Sequence, residues 1–170
     1  RFTELLRQDV DSMVSTYSEA GVDIDASEKA TEALIAQIKN VGRKGDGEAI
    51  KLENGFAGLV KLGDGALAIC IDGVGSKLLL AEELDSIHTV GIDCVAMNTN
   101  DLICVGAEPL SFVDYVALDK PDEDLMAKIG MGLAEGCRQS KCTLSGGATA
   151  IVPGLVQGFA IAGTSVRIGE

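Results

Sequence analysis

"ICIDGVGSKL", residues 69–78, is the stretch on which the fold turns. Small and apolar residues, Ala66–Cys70, lead into one carboxylate, Asp72, then two glycines and Lys77. An apolar run that meets a glycine turn reads as a strand ending at a tight bend. Ligands of α/β sheets bind beyond the carboxyl ends of strands, and Asp72 stands at such an end. Gly73 and Gly75 let backbone approach a ligand, and Lys77 reaches a phosphate as a point charge. The stretch departs from the P-loop, which needs four residues between its first glycine and GK[ST]. It also carries an acid where phosphate loops avoid one. An ordinary strand–turn–helix junction accounts for the same residues.

Toward the N-terminus, "GFAGLVKL" (55–62) and "ALAICI" (66–71) form two strands joined by "GDG", a hairpin signal. Gly55, Phe56 and Gly58 in "NGFAG" either close over a nucleotide or simply begin the hairpin. "NVGRKGDGE" (40–48) is a polar, glycine-rich loop and the best candidate for local disorder. Helical spacing of apolar residues predicts one helix over 3–17 and a second from Ser27, carrying Ala30, Leu34, Ile35 and Ile38. Toward the C-terminus, a short helix is expected over Ser76–Leu84 and a long one over 87–106, closed by Gly106. A strand follows at 109–118. Pro121 opens a helix to about Gln139, with Asp122, Glu123 and Asp124 where the helix dipole favours acids. Strands at 142–150 and 156–168 complete a mixed α/β pattern without repeat or internal linker.

The helix over 89–105 carries unexpected charge. Asp93, Met97, Asn100 and Asp101 share one face at i, i+4, i+7 and i+8, while Val95, Leu102, Ile103 and Val105 imply burial. Carboxylates on a buried helix need partners. A hard cation with oxygen ligands is one, and Mg²⁺ commonly bridges carboxylates to substrate phosphates. A solvated polar face is the other reading. "LSGGATAIVPG" (144–154) offers a further turn, in which the N–H groups of Gly146 and Gly147 form an anion nest. His88 is the sole histidine, and nucleophilic triads are unsupported.

Composition bounds these readings. A chain of 170 residues fits one domain with a core of its own. No apolar run approaches the ~20 residues that span a bilayer, and no secretory signal is visible. The start at Arg1 implies that an initiator residue, or more, precedes it. The net charge of −12 argues against a nucleic-acid surface. It leaves anionic substrates open, because backbone N–H groups, one lysine and a metal suffice to bind phosphate. Five cysteines without a CxxC pair read as reduced cytosolic thiols in the core, and the protein is expected in the cytoplasm. Glycine is over-represented, at 21 residues, and sits in short clusters as tight turns require.

Six stretches occur in an order that resembles a known family: "YSEAGVDIDA" (17–26), "GFAGL" (55–59), "DGVGSKL" (72–78), "GIDCVAMNTNDLICVGAEPLSFVDY" (91–115), "AEGCRQSKCTLSGGATA" (134–150) and "GFAIAGTSV" (158–166). Together they are similar to the N-terminal half of the phosphoribosylformylglycinamidine cyclo-ligases, or aminoimidazole ribonucleotide synthetases. The acid–glycine loop is shared across a superfamily with selenophosphate synthetase, thiamine-monophosphate kinase and the hydrogenase-maturation dehydratase. "AGVDIDA" and the full "GIDCVAMNTND" run favour the cyclo-ligases. Ala148 stands where the family usually has Glu, in "GGETA", and Ser18 where many members have Lys.

The resemblance implies an ATP-dependent ring closure of formylglycinamidine ribonucleotide in purine biosynthesis. It implies an α/β (α+β) fold with a mixed four-stranded sheet, covered by helices on one side and pairing across a homodimer into a barrel. ATP and Mg²⁺ are the expected ligands. Asp72, Asp93 and Asp101 are the metal candidates, and Lys77 and Asp93 the catalytic ones. Gly55, Phe56, Gly58, Asp72, Gly73, Gly75, Lys77, Asn100, Gly146 and Gly147 are the candidates for ATP and phosphate. An N-terminal segment (1–26), an ATP-binding domain (27–170) and a second domain outside this sequence are expected. Another ATP-dependent superfamily member, or a non-catalytic nucleotide-binding or dimerisation module, are the alternatives. No nucleic acid or membrane partner is expected.

Overall fold

The structure, a computed structural model, describes residues 21–52 and 55–169. The chain divides into two compact units, residues 1–41 and 42–170. In the first, helix α1 spans Ile24–Ile38, and the Asp23 carboxylate caps it by accepting from the Ala26 N–H at 3.0 Å. This cap starts the helix ahead of the expected Ser27, because an aspartate satisfies a free first-turn N–H as serine does. The helix expected over 3–17 lies outside the described residues.

The second unit runs β1 (Ala49–Ile50), β2 (Gly58–Leu62), β3 (Gly65–Gly73), α2 (Lys77–Glu83), α3 (His88–Cys104), β4 (Ser111–Leu118), α4 (Glu123–Ser140), β5 (Thr143–Ile151) and β6 (Phe159–Gly169). These strands form one six-stranded sheet in the order β1-β2-β3-β6-β4-β5. Only β4 and β5 pair in parallel, through the α4 crossover, so the sheet is mixed as expected but has six strands rather than four. Part of the difference lies beside the polar loop. Gly47 N–H donates to the Lys61 carbonyl at 2.7 Å, Asp46 accepts from Gly63 N–H at 2.8 Å, and Glu48 pairs with Lys61 at 2.8 Å. The segment expected to be disordered is thereby tied to the β2–β3 hairpin and delivers β1 to its edge.

One face of the sheet is covered. Ala68 and Cys70 of β3, Phe112, Val116 and Leu118 of β4, and Phe159 and Ile161 of β6 are buried on it, under Cys94, Val95 and Leu102 of α3. Ile129 and Leu133 of α4 pack behind them. Helices α3 and α4 cross through glycine: a Cβ at Gly132 would lie 2.9 Å from the Gly91 Cα, and one at Gly91 2.6 Å from the Gly132 carbonyl carbon. Helix α3 ends as Gly106 predicts. Gly106 adopts φ of 75°, its N–H bonds to the Ile103 carbonyl at 2.9 Å, and the Ala107 N–H to that of Leu102 at 2.9 Å. This is a Schellman cap.

The opposite face leaves Ile69, Ile71, Val113, Tyr115 and Ile168 exposed. All five cysteines are free, but only Cys70, Cys94 and Cys137 are buried. Cys142 is half-buried, and Cys104 is exposed at the end of α3, where the expectation of a core position fails. Among the described residues no helix is long and apolar enough to cross a membrane.

Candidate active site at the carboxyl end of β3

Asp72 is the penultimate residue of β3, and its carboxylate accepts from the Gly73 N–H at 2.7 Å. Val74 N–H bonds to the Ile161 carbonyl at 3.1 Å, and Gly75 turns the chain with φ of 66°. Ser76 then leads into α2, whose first residue is Lys77. The strand–turn–helix junction is therefore real. The Lys77 ammonium pairs with Asp93 at 2.6 Å and lies 3.3 Å from the Met97 sulfur, so α2 and the acidic face of α3 meet here. A cleft of about 340 Å³ opens beside this pair, lined by Val74, Leu80, Ala81, Leu84, Thr89 and Val90 among others.

Asp101 sits about two helical turns beyond Asp93, over β3. The Cys70 thiol donates to its carboxylate at 3.2 Å. Burial first, then that bond and the charges of Asp101 and Asp72, push the Cys70 thiol up to about 12, so it stays protonated and acts as donor. Cys94 is likewise raised to about 12, by burial and then by the charges of Asp114, Asp93 and Asp72. These two thiols mark where the carboxylates gather.

The sheet register accounts for the gathering. Asp72 of β3 is opposite Gly163 of β6, Gly163 is opposite Asp114 of β4, and Asp114 is opposite Gly147 of β5. Residues directly opposite share a face, and neighbouring strands lie about 4.8 Å apart, which sets the Asp72 and Asp114 backbones roughly 10 Å from each other. Asp114 was not among the sequence candidates. Its signal was the alternation in "SFVDYVAL", which points Phe112, Asp114 and Val116 inward together. Burial holds its carboxyl above the usual carboxylate range. A Cβ at Gly147 would lie 2.8 Å from the Asp114 carboxyl carbon, so Gly147 makes room for this acid.

Asn98 is the second residue that sequence reasoning missed. It is fully buried on α3, and its amide donates to the Cys94 carbonyl at 2.9 Å and the Asp72 carbonyl at 3.3 Å. Asn100, the asparagine singled out from spacing, is exposed. Gly58 begins β2 opposite Ile69, and this register carries the preceding Gly55 and Phe56 to the Asp72 end of the hairpin; Phe56 is exposed.

Gly146 and Gly147 require a correction. They lie inside β5, as the strand reading of 142–150 held, and neither has positive φ, so the consecutive-turn nest does not form. The sheet register keeps them extended. The irregularity falls instead between Phe112 and Val113, whose partners are Leu144 and Gly146. Ser145 is the extra residue, and its hydroxyl meets that of Ser111 at 2.5 Å. Ala148 is opposite Tyr115, on the open face.

Among the described residues no three His, Cys, Asp or Glu side chains are grouped to hold a metal by themselves. Two carboxylates that flank the Cys70 thiol nevertheless offer hard oxygen donors. Mg²⁺ typically takes one or two carboxylates and completes its shell with phosphate oxygens and water.

Residues 55–166 match the family described as "AIR synthase related protein, N-terminal domain". The chain belongs to this family. Over 153 residues it is 48% identical to the phosphoribosylformylglycinamidine cyclo-ligase of Methanosarcina barkeri, a match covering 90% of this chain and 46% of the relative. It thus spans about half the length of the curated relatives it matches. Among solved structures, tt0281 from Thermus thermophilus superposes with a TM-score of 0.62 at 23% identity, over 82% of this chain and 44% of the other. The hydrogenase maturation protein HypE in complex with ATP follows at 0.51 and 19% identity, over 81% of this chain and 39% of the other. At these identities the likeness is one of fold.

Proposed function

We propose that this chain is the ATP-binding half of a phosphoribosylformylglycinamidine cyclo-ligase. ATP transfers its γ-phosphoryl group to the formyl oxygen of formylglycinamidine ribonucleotide and leaves as ADP, an internal nitrogen attacks the formyl carbon and displaces phosphate, and the imidazole of aminoimidazole ribonucleotide closes. The observation that carries this reading is the position of Asp72, Lys77 and Asp93 around the turn after β3, with Asp101 over Cys70 just before it, in a chain so similar to relatives of that name.

Each residue then has a task. Asp72 and Asp101 hold Mg²⁺, with Asp93 in the same polar cluster. When bound, the metal neutralises phosphate charge, the main lever in phosphoryl transfer. Lys77 takes a phosphate oxygen. Its present partner Asp93 is about a third exposed and Lys77 itself about half. A pair this open is worth ~0–1 kcal/mol, so the ammonium exchanges a carboxylate for a phosphate at little cost. Gly73 and Gly75 admit the triphosphate to the backbone. Gly55, Phe56 and Gly58 border the nucleotide from the hairpin, and Asn100 lies on its solvent side. Two copies associate through the open sheet face, where Ile69, Ile71, Val113 and Tyr115 are exposed.

Calorimetric titration of Mg²⁺–ATP into the chain, Asp72→Asn and Asp101→Asn tests the site. Binding by the wild type and its loss in both variants is expected. If all three bind equally well, the carboxylate assignment is wrong; if the wild type does not bind, the nucleotide reading is.

A further inference from the structure

Asn98 is an anomaly in the core of this unit. It is fully buried beside Cys94, Val95 and Leu102, yet its side-chain oxygen meets no donor among the described residues. An unsatisfied buried acceptor is costly, and an apolar residue of similar volume would avoid that cost. What the asparagine adds is its amide. One donor group reaches two carbonyls: that of Cys94, a turn earlier in α3, and that of Asp72, at the end of β3. Among the described residues no other side-chain hydrogen bond joins α3 to the backbone of the acid–glycine turn. The neighbouring Thr99 is buried to a similar degree, but its hydroxyl bonds only within the helix, to Val95 at 3.0 Å and Ala96 at 3.4 Å.

We infer that Asn98 is a positioning residue for Asp72. By pinning the Asp72 carbonyl to α3, it fixes the peptide plane from which the Asp72 carboxylate and the Gly73 N–H both project. The same helix carries Asp101 and Asp93. Asn98 therefore sets the spacing between the acid on the sheet and the acids on the helix, without touching a ligand. Side chains that orient a metal-binding group through a hydrogen bond typically change affinity by ~10–100-fold when removed. The role in ligand binding rests on the Mg²⁺–nucleotide reading above; the mechanical role does not.

Two matched substitutions separate positioning from simple loss of stability. Asn98→Ser keeps a donor able to bond back to Cys94, as Thr99 does to Val95, but is too short for Asp72. Thr99→Ala removes a buried hydroxyl from the same helix without touching the turn. Amide exchange followed by NMR in the ligand-free chain reads the turn directly. Asn98→Ser is expected to speed exchange of the Gly73 and Val74 N–H groups by roughly 10-fold or more, with Thr99→Ala leaving them within about 2-fold. In Mg²⁺–ATP titration, Asn98→Ser is expected to weaken binding by about 10-fold and Thr99→Ala by less than about 2-fold. Unchanged Gly73 exchange in Asn98→Ser, or equal acceleration in both variants, overturns the proposal. Faster Gly73 exchange in a chain whose wild type binds no nucleotide upholds the positioning role and overturns the nucleotide reading instead.

Discussion

Exchanging one glycine for alanine in α4 should have opposite effects two residues apart. Gly130 faces solvent, and a Cβ built there meets nothing within 4 Å. Gly132 lies at the crossing with α3, where its Cβ would be 2.9 Å from the Gly91 Cα and in still closer conflict with the His88 carbonyl. Those are backbone atoms of a helix, so no side-chain rotation relieves the clash. Both substitutions gain about 0.5–1 kcal/mol of helix propensity. For Gly130→Ala that gain stands alone, and at roughly 2–4 °C per kcal/mol for a chain of this size it raises Tm by about 1–4 °C. For Gly132→Ala the helices must part, at the upper end of the ~1–3 kcal/mol that overpacking costs. The net loss is about 2 kcal/mol, a fall of roughly 4–8 °C. Thermal and urea unfolding by circular dichroism measure both, with an unchanged m-value showing that stability alone has shifted. A Gly132→Ala variant that melts at or above the wild type refutes the close crossing, and a Gly130→Ala variant that melts below it refutes the open position of Gly130.

Burial holds the Asp114 carboxyl above its ordinary range, so any stability it lends the fold is present below about pH 4 and lost as pH rises through the folded value. Asp114→Asn should therefore raise Tm at pH 7 and lose that advantage on acidification; a Tm difference that is the same at both ends of the range contradicts the burial argument. The exposed apolar face predicts a dimer mass by sedimentation at micromolar concentration and a monomer after Ile71→Lys with Tyr115→Lys. A wild-type monomer throughout that range removes the face as an interface. Lys77→Met should weaken Mg²⁺–ATP binding while leaving Tm within about 1–2 °C, since an exposed ion pair adds little stability. A Tm loss with unaltered binding would make Lys77 structural.

The parts of the fold legible in the sequence are those where local chemistry and burial agree. The α3 boundary was readable because Gly106 is both the end of an apolar periodicity and a residue at ease with positive φ. Helix α4 was readable from Pro121 and Asp122, which mark its start, and Asp122 caps Leu125 N–H at 3.0 Å. Strand β1 was not, because two residues paired to a hairpin have no periodicity of their own. Nor was the ordering of residues 45–48, which depends on bonds to Gly63 and Lys61, distant in the chain. The double glycine at 146–147 carried a misleading local signal: both residues are extended in β5, and Gly147 gives clearance to Asp114, a contact between strands about thirty residues apart.

The same distinction explains the site. Asp93 and Asp101 could be found from helical spacing, and Asp72 from the strand that precedes it, because each is odd within its own segment. Asp114 and Asn98 acquire meaning only through register. Asp114 becomes part of the site because β6 inserts between β3 and β4 and sets Gly163 between the two acids. A side chain at Gly163 would stand in the space of the Phe112 ring, so glycine there lets the ring fill the floor beneath them. The insertion of β6 reverses sequence proximity: β3 and β4 are separated by two helices in the chain but by one strand in the sheet. With α3 laid across β3 and β6, Asp93 of the helix comes to the Lys77 end of the turn and Asp101 lies over Cys70 within β3. A buried carboxyl such as Asp114 carries a desolvation cost, and a cation or a phosphate-bound metal is the kind of partner that relieves such a cost.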